Sequence, residues 1–145
     1  MTTVERVIKT TPQRVWEVLA DGWLYPLWVV GATRMRDVDQ DWPAVGSRIH
    51  HSVGVWPAVL DDDTEITECE PLQKLSLRAK AWPFLGEADV ELDLSEQGAS
   101  TRVLMSEDAA TPPGTLVPKP LRSPAIQWRN TESLRRLAFL AERRP

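Results

Sequence analysis

The sequence predicts an α+β protein in which a curved antiparallel sheet is followed by one long C-terminal helix. Three observations carry this. Apolar residues alternate with period two through most of Ala32 to Ala110, and they recur at helical spacing from Ser123 to Arg143. The connections between the period-two runs are too short for the crossovers that parallel strands need. A chain of 145 residues, 42% hydrophobic and 26% charged, fits one ordered domain over 1–145.

The first element, Val4 to Lys9, is short and contains the β-branched Val4, Val7 and Ile8, so it reads as a strand. It stops at Thr10-Thr11-Pro12, where a helix starts. The Thr11 hydroxyl can accept from a free backbone N–H, and proline at the first helical position sacrifices no useful donor. Val15, Trp16 and Leu19 follow at helical spacing, and Asp21-Gly22 supplies the stop. A second short helical piece, Trp23 to Trp28, is limited by Pro26.

Six strands are expected between Ala32 and Ala110. Turn signals stand at Trp42-Pro43, Gly54, Asp61-Asp62-Asp63, Glu70-Pro71, Pro83 to Gly86 and Gln97-Gly98. The clearest strands set Leu75, Leu77, Ala79 and Ala81 against Arg78 and Lys80, and Ala88, Val90, Leu92 and Leu94 against Asp89, Glu91 and Asp93. Each has an apolar and a charged face. Paired as a hairpin, they set basic against acidic side chains, worth about 0.2–1 kcal/mol per pair.

After the proline-rich stretch Thr111 to Pro120, Ser123 and Pro124 repeat the cap-and-proline start, which predicts a helix from about Ser123 to Arg143. Ile126, Asn130, Ser133, Leu134, Leu137, Leu140 and Ala141 fall on one stripe of it, with Arg135, Arg136, Glu142 and Arg143 elsewhere.

Several classes of function are disfavoured. The net charge is −4 and Lys and Arg are dispersed, which leaves no footprint for nucleic acid. No apolar run approaches the roughly 18 residues that cross a bilayer, and no leader pattern opens the chain, so the expected location is the cytoplasm. A single cysteine, Cys69, excludes an intrachain disulfide and reads as a small strand residue. With no Gly-rich phosphate loop, Cys/His ligand set or Gly-x-Ser-x-Gly elbow, neither metal nor cofactor is expected.

The candidate functional residues follow from polar or aromatic groups at inward positions. Of seven tryptophans, Trp16 belongs to the core, whereas Trp42, Trp56 and Trp82 each precede a proline and so stand at strand ends or turns. Trp28, Trp56 and Trp82 are candidates for the border of a ligand cavity, because an indole offers a broad apolar face and one N–H. His50 and His51 are adjacent in a strand and face opposite ways. With Ile49 and Val53 inward, His51 points in and His50 points to solvent. Val103, Met105 and Glu107 share a face, so Glu107 is either a carboxylate near the cavity mouth or a solvated strand end. Asn130 lies within the apolar stripe and needs a ligand, a water or a backbone group for its amide. Arg129 lies at the stripe's edge. Met35, Leu77, Val90, Met105, Ile126 and Leu134 complete the expected lining.

This order of elements resembles the helix-grip fold of the SRPBCC superfamily, which includes START lipid-transfer domains, the birch pollen allergen family and the bacterial polyketide cyclase/dehydrase group, the last being nearest. The resembling stretches are Thr11 to Asp21, Trp28, Val45-Gly46-Ser47, Glu70 to Leu75 and the terminal helix. The resemblance implies a seven-stranded sheet gripping the last helix, with a ligand cavity between them.

The expected function is binding of a small hydrophobic molecule, a lipid, polyketide or aromatic metabolite, because inward strand positions read Leu, Ala, Val and Met more than acid or base. The alternative is a cofactor-free enzyme of the polyketide cyclase/dehydrase kind, with His51 or Glu107 moving a proton. A third reading is an interaction module. Trp128, Glu132, Arg135 and Phe139 form a stripe opposite the apolar one, a candidate homodimer contact.

Overall fold

The computed structural model describes residues 2–30, 32–55, 58–80, 87–112 and 114–143; within these ranges the side chains of 33, 34, 51–55, 58–62, 80, 114, 119 and 122 are not described. The chain opens with strand β1 (Thr2–Ile8) and helix α1 (Pro12–Ala20). The Thr11 hydroxyl accepts from the Arg14 N–H at 3.4 Å, the cap that the sequence predicts. Val15, Val18 and Leu19 are the buried face of α1.

Asp21 then serves two ends. Its N–H closes α1 on the Val18 carbonyl, and its Oδ1 accepts from the Trp23 N–H at 3.2 Å, opening the 3₁₀ turn Gly22–Leu24. This turn runs into helix α2 (Tyr25–Trp28). Pro26 therefore sits in the first turn of α2, where its missing N–H costs nothing, instead of limiting the helix. Gly22 has a further role. A Cβ there would stand 2.7 Å from Val38 Cγ1 and 3.0 Å from Ile49 Cγ2, so the turn lies against the sheet at a distance only glycine permits.

Six more strands follow: β2 (Ala32–Val38), β3 (Arg48–Val55), β4 (Ala58–Glu70), β5 (Lys74–Lys80), β6 (Glu87–Gln97) and β7 (Ser100–Ala109). All neighbours are antiparallel, in the order β1-β7-β6-β5-β4-β3-β2. Strands β2 to β7 form a meander, and β1 closes onto β7.

Two expected turns are strand instead. Gly54 lies in β3, and Asp61-Asp62-Asp63 lies in β4, paired with Ser52, His51 and His50. Aspartate is a poor strand former. At Asp63 the cost is offset across the ladder, where its carboxylate lies 2.7 Å from His50 Nδ1 and 3.8 Å from Arg48 Nη1. The Glu70-Pro71 and Gln97-Gly98 turns are present, the latter with Gly98 at φ 62°. The signal at Pro83 to Gly86 lies outside the described residues.

Helix α3 (Lys119–Arg143) begins four residues before Ser123. Pro120 occupies its first turn, the position at which proline is tolerated, and Pro124 falls inside the helix, giving up only its own N–H bond to the preceding turn. Ser123 is thereby released from capping, and its hydroxyl accepts from Thr2 Oγ1 at 3.1 Å, tying α3 to the edge strand. α3 lies against β1, β7, α1 and α2.

The two faces of the sheet divide as the alternation requires. Inward positions include Leu75, Leu77 and Ala79 of β5, Ala88, Val90, Leu92 and Leu94 of β6, and Val103 and Met105 of β7, all buried. α3 returns Ile126, Leu134, Leu137, Ala138 and Ala141. Fully burying each leucine- or isoleucine-sized side chain stabilises the fold by about 1.5–3 kcal/mol. Outward, the register sets Lys74 against Asp93 and Arg78 against Asp89. Arg78 Nε donates to Asp89 Oδ1 at 2.9 Å, and Lys74 Nζ reaches Glu91 at 2.6 Å and Glu68 at 3.4 Å.

Candidate functional site

Among the described residues, the charged side chains that are buried, Glu107 and Arg129, meet between sheet and helix. β7 alternates strictly, and its inward series Thr101, Val103, Met105 ends on Glu107. Facing it, α3 presents Arg129 and Asn130. Only 2% of Glu107, 6% of Arg129 and 1% of Asn130 is exposed. The three bond to one another in a ring. Arg129 Nη2 pairs with Glu107 Oε2, Asn130 Nδ2 donates to Glu107 Oε1 at 3.1 Å, and Arg129 Nε donates to Asn130 Oδ1 at 3.3 Å.

Burial makes this arrangement obligatory. A carboxylate withdrawn from water needs both a counter-charge and donors for its lone pairs. Here the guanidinium supplies the charge and one donor to one oxygen, and the amide supplies a donor to the other. In the sheet, Glu107 stands between Thr2 of β1 and Val90 of β6. The ring thus borders the Thr2–Ser123 hydroxyl contact on one side and an apolar strand on the other.

The sequence reading offers ligand, water or backbone for the Asn130 amide. The structure supplies a carboxylate and a guanidinium instead. Glu107 is no solvated strand end. The coupling was legible only in part: the inward placement of Glu107 and of Asn130 follows from period, but the Arg129 contribution does not. At the edge of the stripe an arginine's long stem allows its head to turn either way, and the signal that decides is the inward carboxylate of Glu107.

Among the expected lining residues, Trp28, Leu77, Val90, Met105, Ile126 and Leu134 are buried and Met35 is half-buried. Trp28 packs edge-on against Tyr25, with ring centroids 5.6 Å apart. Trp56, Trp82 and the His51 side chain lie outside the described residues; the His51 backbone pairs with Met35 and Asp62. Trp42 is buried at its turn, and its indole N–H donates to the Leu19 carbonyl at 3.3 Å, fastening that turn to α1. It also borders an open cleft of about 570 Å³ with Glu17, Asp21, Trp23 and Asp39.

His50 faces outward, as expected, but is not left to solvent. Its Nδ1 lies 2.7 Å from Asp63 Oδ1 and its Nε2 lies 3.2 Å from Asp39 Oδ1. The bond to Asp63, then that to Asp39, raises the imidazole above its usual value of 6.5. Asp39 is lowered, first by the Arg48 N–H at 2.9 Å and then by His50. Among the described residues no set of three His, Cys, Asp or Glu is arranged to hold a metal ion, and no helix is long and apolar enough to cross a membrane.

The sequence profile of the family described as Activator of Hsp90 ATPase homolog 1-like protein matches residues 9–137. No curated protein matches the chain. Among solved structures, protein MLL2253 from Mesorhizobium loti is 23% identical with a TM-score of 0.71, over 99% of this chain and 97% of that one. Ara h 8.0201 superposes with a TM-score of 0.71 at 10% identity, over 97% of this chain and 96% of its own. The di-domain ARO/CYC StfQ from the steffimycin biosynthetic pathway gives 0.70 at 12% identity, over 97% of this chain and 50% of that one. At such identities these likenesses establish the fold, a helix-grip of seven antiparallel strands around a long C-terminal helix.

Proposed function

This chain belongs to the Activator of Hsp90 ATPase homolog 1-like family, within the SRPBCC superfamily, and from that premise we propose that it binds a small hydrophobic molecule between the sheet and α3. The ring of Glu107, Arg129 and Asn130 is the polar anchor for the ligand's oxygen-bearing end. The observation that carries this reading is the placement of a buried, hydrogen-bonded charge pair on a wall formed mostly by apolar side chains. Apolar walls with a few converging polar groups are the usual make-up of small-molecule sites. With the likeness in fold to the ARO/CYC StfQ of the steffimycin biosynthetic pathway, polyketides and other aromatic metabolites are the first ligand class to try.

The same geometry favours binding over catalysis. Both Glu107 oxygens are engaged, one by Arg129 and one by Asn130. Protonating the carboxylate would deprive the buried Arg129 guanidinium of the negative charge it pairs with. A ligand hydroxyl or carbonyl can join the ring through remaining lone pairs and N–H groups without dismantling it.

Native mass spectrometry of freshly purified protein, with extraction of bound molecules, tests the proposal. The expected result is a co-purifying apolar molecule carrying one oxygen function, displaced by added ligand with a saturable change in tryptophan emission. If no mass is retained and no aromatic, polyketide-like or fatty ligand gives a saturable change, the reading fails.

A further inference from the structure

The face of α3 turned away from the sheet carries a pattern of its own. Leu121, Trp128 and Phe139 are large, apolar and more than half exposed, Trp128 at 64% and Phe139 at 56%. With Ala125, Glu132, Arg135 and Glu142 they occur at alternating spacings of three and four residues, the seam of a two-stranded helical coil. The seam also has an internal symmetry. Trp128 and Phe139 are equidistant from the midpoint between Ser133 and Leu134, and so are Glu132 and Arg135.

We propose that this face docks a second copy of the same chain, the two α3 helices lying antiparallel about a two-fold axis at that midpoint. Trp128 of each copy then lies on Phe139 of the other, and Glu132 of each faces Arg135 of the other. Such a contact is isologous, the commonest way in which two identical chains meet.

The charges select this arrangement. Glu132 already accepts from Arg135 Nη2 at 2.7 Å and Nε at 2.9 Å, and from Arg136 Nε at 3.1 Å. In the antiparallel pair the two glutamates and the two Arg135 side chains alternate in sign around the axis. Parallel helices would oppose Glu132 to Glu132 and Arg135 to Arg135. A slip of one heptad sets Trp128 against Glu132 in one direction, and Glu132 against Glu142 in the other. A charged layer at the centre of a seam fixes register in this way at some cost in affinity.

The shape of the surface agrees. Beside Phe139 an apolar concavity of about 340 Å³ opens between α2 and α3, lined by Leu27, Arg135, Arg136, Phe139 and Leu140. The indole of the second copy arrives there. Because the contact uses one helix face and the edge of α2, it belongs with the small, weakly associating interfaces.

Sedimentation velocity from low micromolar to near-millimolar protein tests the proposal. The wild-type chain dimerises with rising concentration, Trp128→Ala weakens the dimer by about tenfold or more, and Glu132→Arg and Arg135→Glu are each monomeric with unchanged melting temperature. Mixing the two charge variants restores a dimer, because arginine then faces glutamate in both central layers. A wild-type chain that stays monomeric overturns the proposal, even if that face captures a foreign helix. A dimer that survives all three substitutions, or a mixture that stays monomeric, overturns it equally.

Discussion

Carboxylates meet cations on both faces of this sheet, and the two faces put the same chemistry to different use. Outside, Arg78 with Asp89 and Glu87 forms pairs open to water, and Lys74 with Glu91 and Glu68 forms half-exposed ones. There the attraction is screened and the ordering of long side chains offsets much of it, so such pairs tune the surface without holding the fold. Inside, Glu107 and Arg129 have no water to fall back on. Removing Arg129 takes this counter-charge away from the buried Glu107 carboxylate, and the cost rises several-fold. A close ion pair therefore says little until its burial is known, and burial is what singles out the inner ring as the candidate site.

Breaking the inner pair gives the largest expected effect. Arg129→Met should cost about 3–5 kcal/mol of unfolding free energy, measured by denaturant melts. Asn130→Leu, which keeps the volume and removes one donor to Glu107, should cost about 1–3 kcal/mol. A loss for Arg129→Met no larger than that for Asn130→Leu would show that the inner pair behaves like a surface pair. On the outer face, Arg78→Ala and Lys74→Ala should leave the melting midpoint within experimental error; a loss comparable to that of Arg129→Met would erase the contrast between the faces.

A smaller effect than at the inner ring, and one that depends on pH, belongs to His50. Its folded pKa is raised, so the stability it contributes is fully present below its unfolded value near 6.5 and is lost as pH rises through the folded value. Asp39, whose pKa is lowered, contributes above its own unfolded value near 3.8 and loses that as pH falls. The pair therefore helps most between these values. His50→Gln should reduce the melting temperature at pH 5 to 6 and narrow its difference from wild type above pH 8. A difference that stays constant across this range would remove His50 from the pH dependence.

Most of the architecture was legible because its signals are local. The Thr11 cap, the alternation of β5 and β6, and the stripe of α3 each follow from residues within one element. What was not legible depended on partners distant in sequence. The Asp61-Asp62-Asp63 run reads as a turn by propensity, yet β3 brings His50 and Arg48 against Asp63 and the chain stays extended. Pro124 reads as a helix start, yet Pro120 already fills that role. At the site, the faces of Glu107 and Asn130 followed from periodicity, whereas Arg129 was decided by a carboxylate 22 residues away in sequence.

The central claim is that the inner ring anchors the polar end of an otherwise apolar ligand, and replacing the whole ring by apolar residues tests it most directly. Exchanging a complete buried ion pair for side chains of similar volume is often neutral or stabilising, so the triple variant Glu107→Leu, Arg129→Met, Asn130→Leu should fold. Naphthol and naphthalene share a ring system and differ by one hydroxyl. By fluorescence titration the wild-type chain should prefer naphthol by about tenfold, about 1.4 kcal/mol, and the folded triple variant should bind the two alike. A wild-type chain that binds neither, or a triple variant that keeps the preference, would contradict the account.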